Sequence, residues 1–241
     1  MQTISNIKFI IKTYGKDLGL GFSFKEIAKT QLSNIEKAIK TLMPMTKHIC
    51  IMQQTHSSKT VNIEQMPNGS ISIQQSDALV SRQKNIVLCA FHADCVPVVA
   101  IDQKSKITGI AHTGWRGAKN NILENMIKSM TTAGSSIQNI QINIGPCIRQ
   151  ECYEVDNDFF HAFLDDDKNN RKFFISIKND TKQLFNLPEF IKNKLKNLGI
   201  VNINDTMLNT YSHENYFSYR KSSQQNKPLG SNITIVSAIN K

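Results

Sequence analysis

The sequence lacks any long apolar run. The longest runs, at residues 86–91 and 96–101, have only the length of a strand, whereas a helix that crosses a bilayer needs about 20 apolar residues. The first twenty residues also lack a basic segment followed by an apolar stretch, which is the pattern of an export signal. We therefore expect a cytoplasmic protein that does not associate with a membrane.

A paired cysteine framework is also missing. The chain has five cysteines, an odd number; Cys147 and Cys152 are separated by four residues, and no second pair follows them. A zinc ribbon would need that second pair. In a reducing compartment we expect the cysteines to be thiols or metal ligands rather than disulfides.

Acidic residues are few relative to basic ones. The chain has 19 Asp and Glu against 29 Lys and Arg, which gives a formal net charge of +10. The lysines are scattered, however, and no window holds the dense basic run that is typical of nucleic-acid binding. We interpret the charge as a solvated basic surface and predict no nucleic-acid partner, while a small anion such as phosphate would suit it.

Internal repeats, low-complexity tracts and linkers are absent, so we expect residues 1–241 to form a single domain. Predicted strands outnumber predicted helices and come in pairs, as in the hairpin expected at residues 96–102 and 106–112. This pattern favours an α/β or α+β fold with mixed sheets over a doubly wound parallel sheet. Helices are predicted at residues 25–43, 118–134, 158–164 (capped by Asp156) and 187–199, and the outermost strands at residues 4–15 and 231–239.

The segment AHTGWRGAK joins a predicted strand to a predicted helix. His112 ends the strand, and the helix is expected to begin at about Gly117, so its free N–H groups face the turn. Arg116 offers a planar fork for phosphate, and Lys119 adds charge. The segment therefore indicates an anion site next to a histidine. The alternative is an ordinary turn, with Trp115 in the core and Arg116 in a surface ion pair.

The segment FHADC follows a predicted buried strand. Cys95 stands where that strand meets a turn, so its thiolate is a candidate nucleophile or soft metal ligand. The alternative is a buried thiol that acts as a small hydrophobic residue, which is our interpretation of Cys89 in mid-strand. Pro97 is expected to interrupt regular pairing if its strand is central.

His56 lies between a predicted strand and a polar turn, and it gains interest only with partners. Together with Cys95 and His112 it would form a set of three protein ligands, which suits a catalytic zinc with a fourth position open. The separations between the three residues are long and match no local metal-binding spacing. From the residues alone, this set is a hypothesis.

A series of short motifs covers most of the chain. The set resembles the YfiH or laccase-domain family, also known as polyphenol oxidase-like proteins. The resemblance implies a single-domain α/β/β/α sandwich, in which two mixed sheets pack between helices. The motifs are QTH (54–56), DALVS (77–81), ADC.PV (93–98), AHTGWRG (111–117), IGPCI....YEV (144–155) and FSYR (217–220).

The resemblance also implies a metal site, with zinc in most members and copper in some. Its ligands map onto His56, Cys95 and His112. Members of the family are described as purine nucleoside phosphorylases, which use phosphate to split adenosine, inosine or methylthioadenosine into base and sugar 1-phosphate. Adenosine deamination is described as well. The implied partners are thus a small purine nucleoside and phosphate, and the implied state is a monomer or weak dimer.

Further roles follow from combining the resemblance with the residues. Cys95 and His112 are predicted to be catalytic as well as metal-binding, and Asp94 is the candidate proton carrier. Arg116 is predicted to hold the attacking phosphate. The remaining candidates for phosphate or substrate binding are Lys119, Tyr219 and Arg220.

This chain departs from the family pattern at three places. His92 stands where the family usually has Thr, Lys221 follows FSYR where the family has Arg, and Ser231 replaces the Arg of a GRQ-like element. Each lost arginine removes a planar donor fork, and lysine replaces it only as a point charge. If those arginines hold substrate, we expect weaker or differently directed turnover here.

Three other functions stay open from the sequence. A multicopper polyphenol oxidase needs centres rich in histidine, and of the six histidines only His56 and His112 have a motif context. A cysteine hydrolase would use Cys95, activated by His112, on an amide such as a peptidoglycan precursor. A metal-stabilised domain without catalysis would act through a protein partner.

Overall fold

The computed structural model describes residues 7–18, 29–65, 68–177 and 181–240. Parts of the first predicted strand (4–6) and the first predicted helix (25–28) lie outside these ranges. Across the described ranges, no helix combines the length and apolar character needed to cross a membrane.

The helices are α1 (Lys29–Leu42), α2 (Trp115–Lys119), α3 (Ile122–Thr132), α4 (Asn157–Asp166), α5 (Leu187–Asn197) and α6 (Tyr219–Gln224). The strands are β1 (Ile7–Tyr14), β2 (His48–Gln53), β3 (Thr60–Ile63), β4 (Ile71–Gln75), β5 (Ala78–Ser81), β6 (Ile86–His92), β7 (Val96–Asp102), β8 (Ile107–Thr113), β9 (Ile140–Ile144), β10 (Glu154–Asp156), β11 (Phe174–Ile177), β12 (Lys182–Phe185), β13 (Asn202–Asp205) and β14 (Asn232–Asn240).

Two mixed sheets form the centre of the fold. Sheet 1 has the strand order β1-β14-β6-β2-β4, and sheet 2 has the order β13-β9-β7-β8-β5-β3. In sheet 1, β2 runs parallel to β4 and β6, while β14 runs antiparallel to β1 and β6. In sheet 2, the outer pairs β13–β9 and β3–β5 are parallel and the inner pairs are antiparallel. The prediction of mixed sheets is confirmed.

The predicted β7–β8 hairpin lies at the centre of sheet 2, and every residue of both strands is buried. Pro97 pairs with His112 on the β8 side. On the other side, the register with β9 begins one residue later, at Val98, and the carbonyl of Pro97 accepts a hydrogen bond from the backbone N–H of Gly145. The missing N–H of proline therefore falls where the β9 ladder ends, which is how a central strand tolerates it.

Three clusters of buried apolar side chains show how the layers stack. Between the sheets lies a core that includes Leu88 from sheet 1 and Val99 and Ile110 from sheet 2. On the outer face of sheet 1, α1 buries Ile35 and Ile39. On the outer face of sheet 2, α3 and α5 bury their apolar sides. The order helix, sheet, sheet, helix confirms the predicted α/β/β/α sandwich.

The helix predicted over residues 118–134 is in fact two helices, α2 and α3. Asn121 between them has φ 68°, in the left-handed region that asparagine tolerates better than most residues. Apolar residues keep helical spacing on both sides of the break, so the sequence period did not reveal it. Since α2 begins at Trp115 rather than near Gly117, Arg116 lies inside its first turn and not in a loop ahead of it.

A third sheet, β10-β12-β11, and α4 extend the outer layer over sheet 2. Asp156 caps α4 as predicted, because its carboxylate accepts a hydrogen bond from the backbone N–H of Phe159 at 2.8 Å. The apolar side of α4 joins an aromatic cluster in which Phe163 and Phe185 lie 4.9 Å apart between ring centroids. Trp115 packs 4.9 Å from Phe159. The cluster thereby fixes the start of α2.

All five cysteines are free thiols, as expected. Cys50, Cys89 and Cys147 are buried. Burial raises the pKa of Cys147 to about 12, so this thiol stays protonated and unreactive at neutral pH. The interpretation of Cys89 as a buried small hydrophobic residue is confirmed by its place in the core on the outer face of sheet 1.

Candidate active site

Three side chains from three separate segments converge near the turn between β6 and β7. His56 follows β2, Cys95 lies in that turn, and His112 lies in β8. The sulfur of Cys95 is 3.7 Å from Nε2 of His56, and the ring centroids of His56 and His112 are 4.8 Å apart. One donor atom from each residue lies within 4.8 Å of the other two. The structure thus brings together the three predicted metal ligands.

The donor set fits a tetrahedral metal ion. Zinc–sulfur and zinc–nitrogen bonds of about 2.3 and 2.05 Å at a tetrahedral angle place the two ligand atoms about 3.6 Å apart, close to the 3.7 Å between Cys95 and His56. One thiolate with two imidazoles suits zinc, and also copper. His56 is exposed, Cys95 half-buried and His112 buried, so one side of the set faces outward.

A fourth side chain, that of Asp77, contacts both the His112 ring and the backbone of His56. It opens the DALVS motif directly before β5, and it is buried. Its carboxylate lies 3.0 Å from Nδ1 of His112 and accepts hydrogen bonds from the backbone N–H groups of Thr55, His56 and Ser57. Sequence reasoning gave this residue no role. The available signal was an acid directly before a buried strand, where a carboxylate needs partners.

Cys95 and His112 influence each other's protonation. Burial raises the pKa of the Cys95 thiol, but the neighbouring His112 outweighs burial and lowers the pKa to about 6. Burial lowers the pKa of His112, but the Cys95 sulfur and the Asp77 carboxylate outweigh burial and raise the pKa to about 9. The protein therefore favours a thiolate at neutral pH, which is the form that binds metal ions.

Gly114, between β8 and α2, leaves room for the donor set. A β-carbon at this position would lie 2.9 Å from the Cys95 sulfur and 2.9 Å from Cδ2 of His56. The φ of Gly114 is −76°, which every residue can adopt. The missing side chain, and not backbone freedom, is therefore what the site requires of this glycine.

A cavity of about 420 Å³ opens beside the donor set, which is the size of a site for a small organic molecule. Its wall includes flat aromatic rings and two arginines next to the metal donors. Such a wall suits a ligand with both an apolar ring and a negative charge. Besides the three donors, the lining residues are Ala93, Asp94, Trp115, Arg116, Ile148, Tyr153, Leu187, Tyr219 and Arg220.

Arg116 and Lys119 leave α2 in different directions. Arg116 lines the cavity, its guanidinium stacks 4.3 Å above the Trp115 ring, and among the described residues it has no carboxylate partner. Lys119 does not line the cavity; its ammonium lies 2.8 Å from the carbonyl oxygen of Ala162 and 3.0 Å from the carboxylate of Asp166. Position therefore supports Arg116 as an anion-binding residue and gives Lys119 a place in the contact between α2 and α4.

Asp94 holds the C-terminal segment against the cavity. Its carboxylate accepts hydrogen bonds from the hydroxyl of Thr210 at 2.6 Å and from the backbone N–H of Arg220 at 2.7 Å. Burial raises the pKa of this carboxyl group. Both oxygens are thus engaged, and they fix the residues at the start of α6, among them Tyr219, at the cavity wall.

Arg220 and Tyr153 form one side of that wall. The guanidinium of Arg220 donates a hydrogen bond to the carbonyl of Glu154 at 2.8 Å and lies 5.4 Å from the centre of the Tyr153 ring. A guanidinium has five N–H donors, and the hydrogen bond to Glu154 uses one of them. Burial, reinforced by the Cys95 sulfur, raises the pKa of Tyr153, so the phenol stays neutral and able to donate. Sequence reasoning passed over Tyr153, although it stands in the IGPCI....YEV motif.

The family model described as multi-copper polyphenol oxidoreductase laccase matches residues 10–238. This protein belongs to that family. It is 35% identical over 208 residues to a purine nucleoside phosphorylase of Rickettsia conorii, which covers 86% of this chain and 84% of the relative. It is 33% identical over 117 residues to an adenosine deaminase of an unknown prokaryotic organism, with 46% of this chain and 45% of the relative covered. The YfiH protein of Bacillus licheniformis shares the fold, with a TM-score of 0.78, 24% identity, and 91% and 85% of the two chains covered.

The family description names several coppers, whereas the described residues offer one small donor set. Within the ranges that the structure describes, His56, Cys95 and His112 form the one group of three or more His, Cys, Asp or Glu side chains with metal-binding geometry. A multicopper oxidase needs a blue copper centre and a further histidine-rich cluster. The described residues therefore do not favour the copper-oxidase alternative.

The three departures from the family pattern lie off the cavity wall. His92 is buried and lies 2.9 Å from the Thr234 hydroxyl, and burial lowers its pKa to about 3, so it is neutral. The ammonium of Lys221 lies 5.9 Å above the Tyr211 ring. Ser231 is buried, and its hydroxyl has no hydrogen-bond partner among the described residues. The observed cavity is therefore built without arginines at positions 221 and 231, where the resemblance implies them.

Proposed function

We propose that this protein is a purine nucleoside enzyme that splits adenosine, inosine or methylthioadenosine with phosphate into base and sugar 1-phosphate. Adenosine deamination is proposed as a second activity of the same site. The names of the relatives, a purine nucleoside phosphorylase and an adenosine deaminase, support both assignments.

The observation that carries the proposal is the composition of the cavity. Its aromatic side chains offer flat surfaces for a purine ring, and Arg116 and Arg220 offer donor forks for phosphate. The metal donor set lies in the same wall. One cavity of about 420 Å³ thus holds aromatic surfaces suited to the nucleoside and arginines suited to phosphate.

In phosphorolysis, a phosphate oxygen forms a bond to C1′ of the sugar while the bond from C1′ to the base breaks. The electron pair of that bond leaves with the base, which then takes up a proton. Arg116 lines the cavity, and its guanidinium has no hydrogen-bond partner in the part of the chain that the structure describes. It is proposed to orient the phosphate and neutralise its charge. Arg220 adds a second cation, and Tyr219 is proposed to contact the substrate at the cavity rim.

His56, Cys95 and His112 are the residues that would hold zinc, or copper in its place. A zinc ion there would supply a Lewis acid that polarises a bound oxygen or nitrogen. Asp94 is next to Cys95 in the wall and is proposed to carry a proton during deamination, in addition to holding α6. Tyr153 is proposed to donate a hydrogen bond from its neutral phenol.

Product analysis by chromatography tests the proposed function. Zinc-loaded protein is incubated with adenosine, with and without phosphate, beside a His112→Ala control. Adenine that forms only with phosphate identifies a phosphorylase, and inosine that forms without phosphate identifies a deaminase. If neither product exceeds the control, the proposal is wrong.

A second candidate function, amide hydrolysis, is favoured by the lowered pKa of Cys95 of about 6. A thiolate beside a protonated imidazole is the arrangement of cysteine hydrolases. A reactive Cys95 thiolate is expected under both functions, so the pH dependence of its alkylation does not separate them. Protection of Cys95 from alkylation by zinc, together with nucleoside turnover by the zinc-loaded protein, would support the nucleoside enzyme. Metal-free protein that hydrolyses amides and loses this activity in Cys95→Ser would support the hydrolase.

A further inference from the structure

One carboxylate contacts both histidines of the donor set. Oδ1 of Asp77 accepts a hydrogen bond from the backbone N–H of His56 and also lies 3.0 Å from Nδ1 of His112. Oδ2 accepts from the backbone N–H of Thr55 and from both the backbone N–H and the hydroxyl of Ser57. Asp77 is 0% exposed, so each of these contacts is shielded from water.

The contacts with the loop hold His56 in an unfavourable backbone conformation. His56 has φ 60°, in the left-handed region, which costs a non-glycine residue of order 1–3 kcal/mol. Such a conformation persists only where its surroundings impose it. The carboxylate of Asp77 accepts three consecutive backbone N–H groups around His56, and this clamp turns the ring toward Cys95.

The contact with His112 sets the orientation and the tautomer of that ring. An ionised carboxylate only accepts hydrogen bonds, so Nδ1 of His112 must carry a proton and donate a hydrogen bond to Asp77. In the neutral form of the ring, which is the form that binds a metal ion, Nε2 then keeps its lone pair on the opposite side of the ring, where the donor set lies. The backbone adds to this clamp, because the N–H of His112 donates to the carbonyl of Asp77 at 2.8 Å.

We propose that Asp77 is a positioning residue that aligns both histidine ligands at once, so that loss of its charge loosens two of the three metal ligands together. A single contact to one histidine would tune only that ligand. Here the loop of His56 and the ring of His112 depend on the same two oxygen atoms. The inference rests on the metal site of the proposed function but not on the reaction carried out there.

Asp77→Asn tests the proposal, with Asp102→Asn as its matched control. Asp102 is also a 0% exposed acid, at the far end of β7, and its carboxylate accepts from the backbone N–H groups of Lys104, Ser105 and Ser136. Both substitutions place an amide against N–H donors and should lower the melting temperature. Zinc affinity, measured by chelator competition below that temperature, should fall about 10- to 100-fold in Asp77→Asn and stay unchanged in Asp102→Asn.

NMR gives an independent readout. In zinc-loaded wild-type protein with ¹⁵N-labelled histidine, we expect a hydrogen-bonded Nδ1 proton on His112, and we expect Asp77→Asn to lose that signal. If Asp77→Asn does not fold, Ser57→Ala serves instead, because it removes one hydrogen bond to Asp77 and should weaken zinc binding about two- to tenfold.

Two outcomes would overturn the inference, and they differ in their reach. Zinc affinity in Asp77→Asn or Ser57→Ala equal to the wild type would overturn the positioning role and leave the metal site standing. A wild-type protein that binds no zinc would overturn the metal site together with this inference.

Discussion

Two cations of the same short helix, Arg116 and Lys119, have different partners in the folded protein. Arg116 stacks on Trp115 beside the cavity, while Lys119 of the same helix is held by Asp166. The sequence predicts from one segment that both side chains bind phosphate. Composition and spacing do not say in which direction a side chain leaves a five-residue helix, so only the structure separates them.

The difference between these two cations yields a kinetic prediction. Arg116→Ala should raise the KM for phosphate about 10- to 100-fold, because a charge-assisted hydrogen bond is worth about 1.5–3 kcal/mol. Arg116→Lys should recover only part of the loss, since an ammonium lacks the planar fork. Initial rates at varied phosphate and fixed nucleoside measure the effect.

Lys119→Ala is the matched control for that series. It removes a cation from the same helix that does not line the cavity, so the KM for phosphate should stay within about twofold of the wild type, as expected for a mutation outside the site. Equal increases in KM for the Arg116 and Lys119 variants would show that general charge, and not a bound contact, governs phosphate affinity.

At the scale of elements, the hairpin of β7 and β8 was predictable, and the helix break after it was not. The two strands carry apolar runs bounded by polar turn residues, which is a local signal. The break at Asn121 depends on how α2 and α3 pack, and the helical period continues across it. Asp77 was missed for a similar reason: its partners at Thr55 to Ser57 and at His112 are brought near by sheet pairing.

The turn from β8 to α2 gives a prediction about metal binding. Gly114→Ala should weaken zinc affinity by at least about tenfold, because the new methyl group would lie too close to Cys95 and His56 and force these ligands apart. Gly109→Ala, in the first half of β8, is the control, since its β-carbon would first meet the flexible Met130 and Met126 side chains. Chelator competition compares the two; equal zinc affinities would contradict a tight fit at Gly114.

The contact between β13 and the loop after β9 gives a prediction about pH. Burial raises the pKa of Asp205, but Arg149 and Lys192 outweigh it and lower the pKa to about 2. Because this value lies below the ordinary 3.8, the carboxylate stabilises the fold above about pH 4. We expect a loss of about 2 kcal/mol of unfolding free energy as pH falls from about 4 to about 2.

Denaturant unfolding across that pH range measures the effect, with Asp205→Asn as the variant. The substitution breaks a buried bidentate pair with Arg149, so stability at pH 7 should fall by about 3–5 kcal/mol, and the acid-dependent part assigned to Asp205 should vanish. Glu189→Gln, which alters an exposed partner of Lys192, should cost less than about 1 kcal/mol. An unchanged acid dependence in Asp205→Asn would contradict the assignment.

At the scale of the whole molecule, the single-domain organisation of residues 1–241 stays a prediction, and unfolding tests it. The two sheets share one buried core, so we expect one cooperative transition. Near-UV and far-UV circular dichroism in a thermal scan of metal-free protein should give coincident curves. Two separated transitions would show that the sheets fold as independent units. The expectations of no nucleic-acid partner, a cytoplasmic location and a monomer or weak dimer also stay predictions.

The sequence by itself determined the strand pattern, the free thiols and, through its motifs, the family and the three candidate metal ligands. These features depend on local sequence patterns, namely the period of apolar residues and short runs such as ADC and HTGWRG. The tertiary structure decided which cation faces the cavity, where the helix breaks and which carboxylate contacts both histidines. Those features depend on groups far apart in the chain, whose distances are fixed only when the sheets pair and pack.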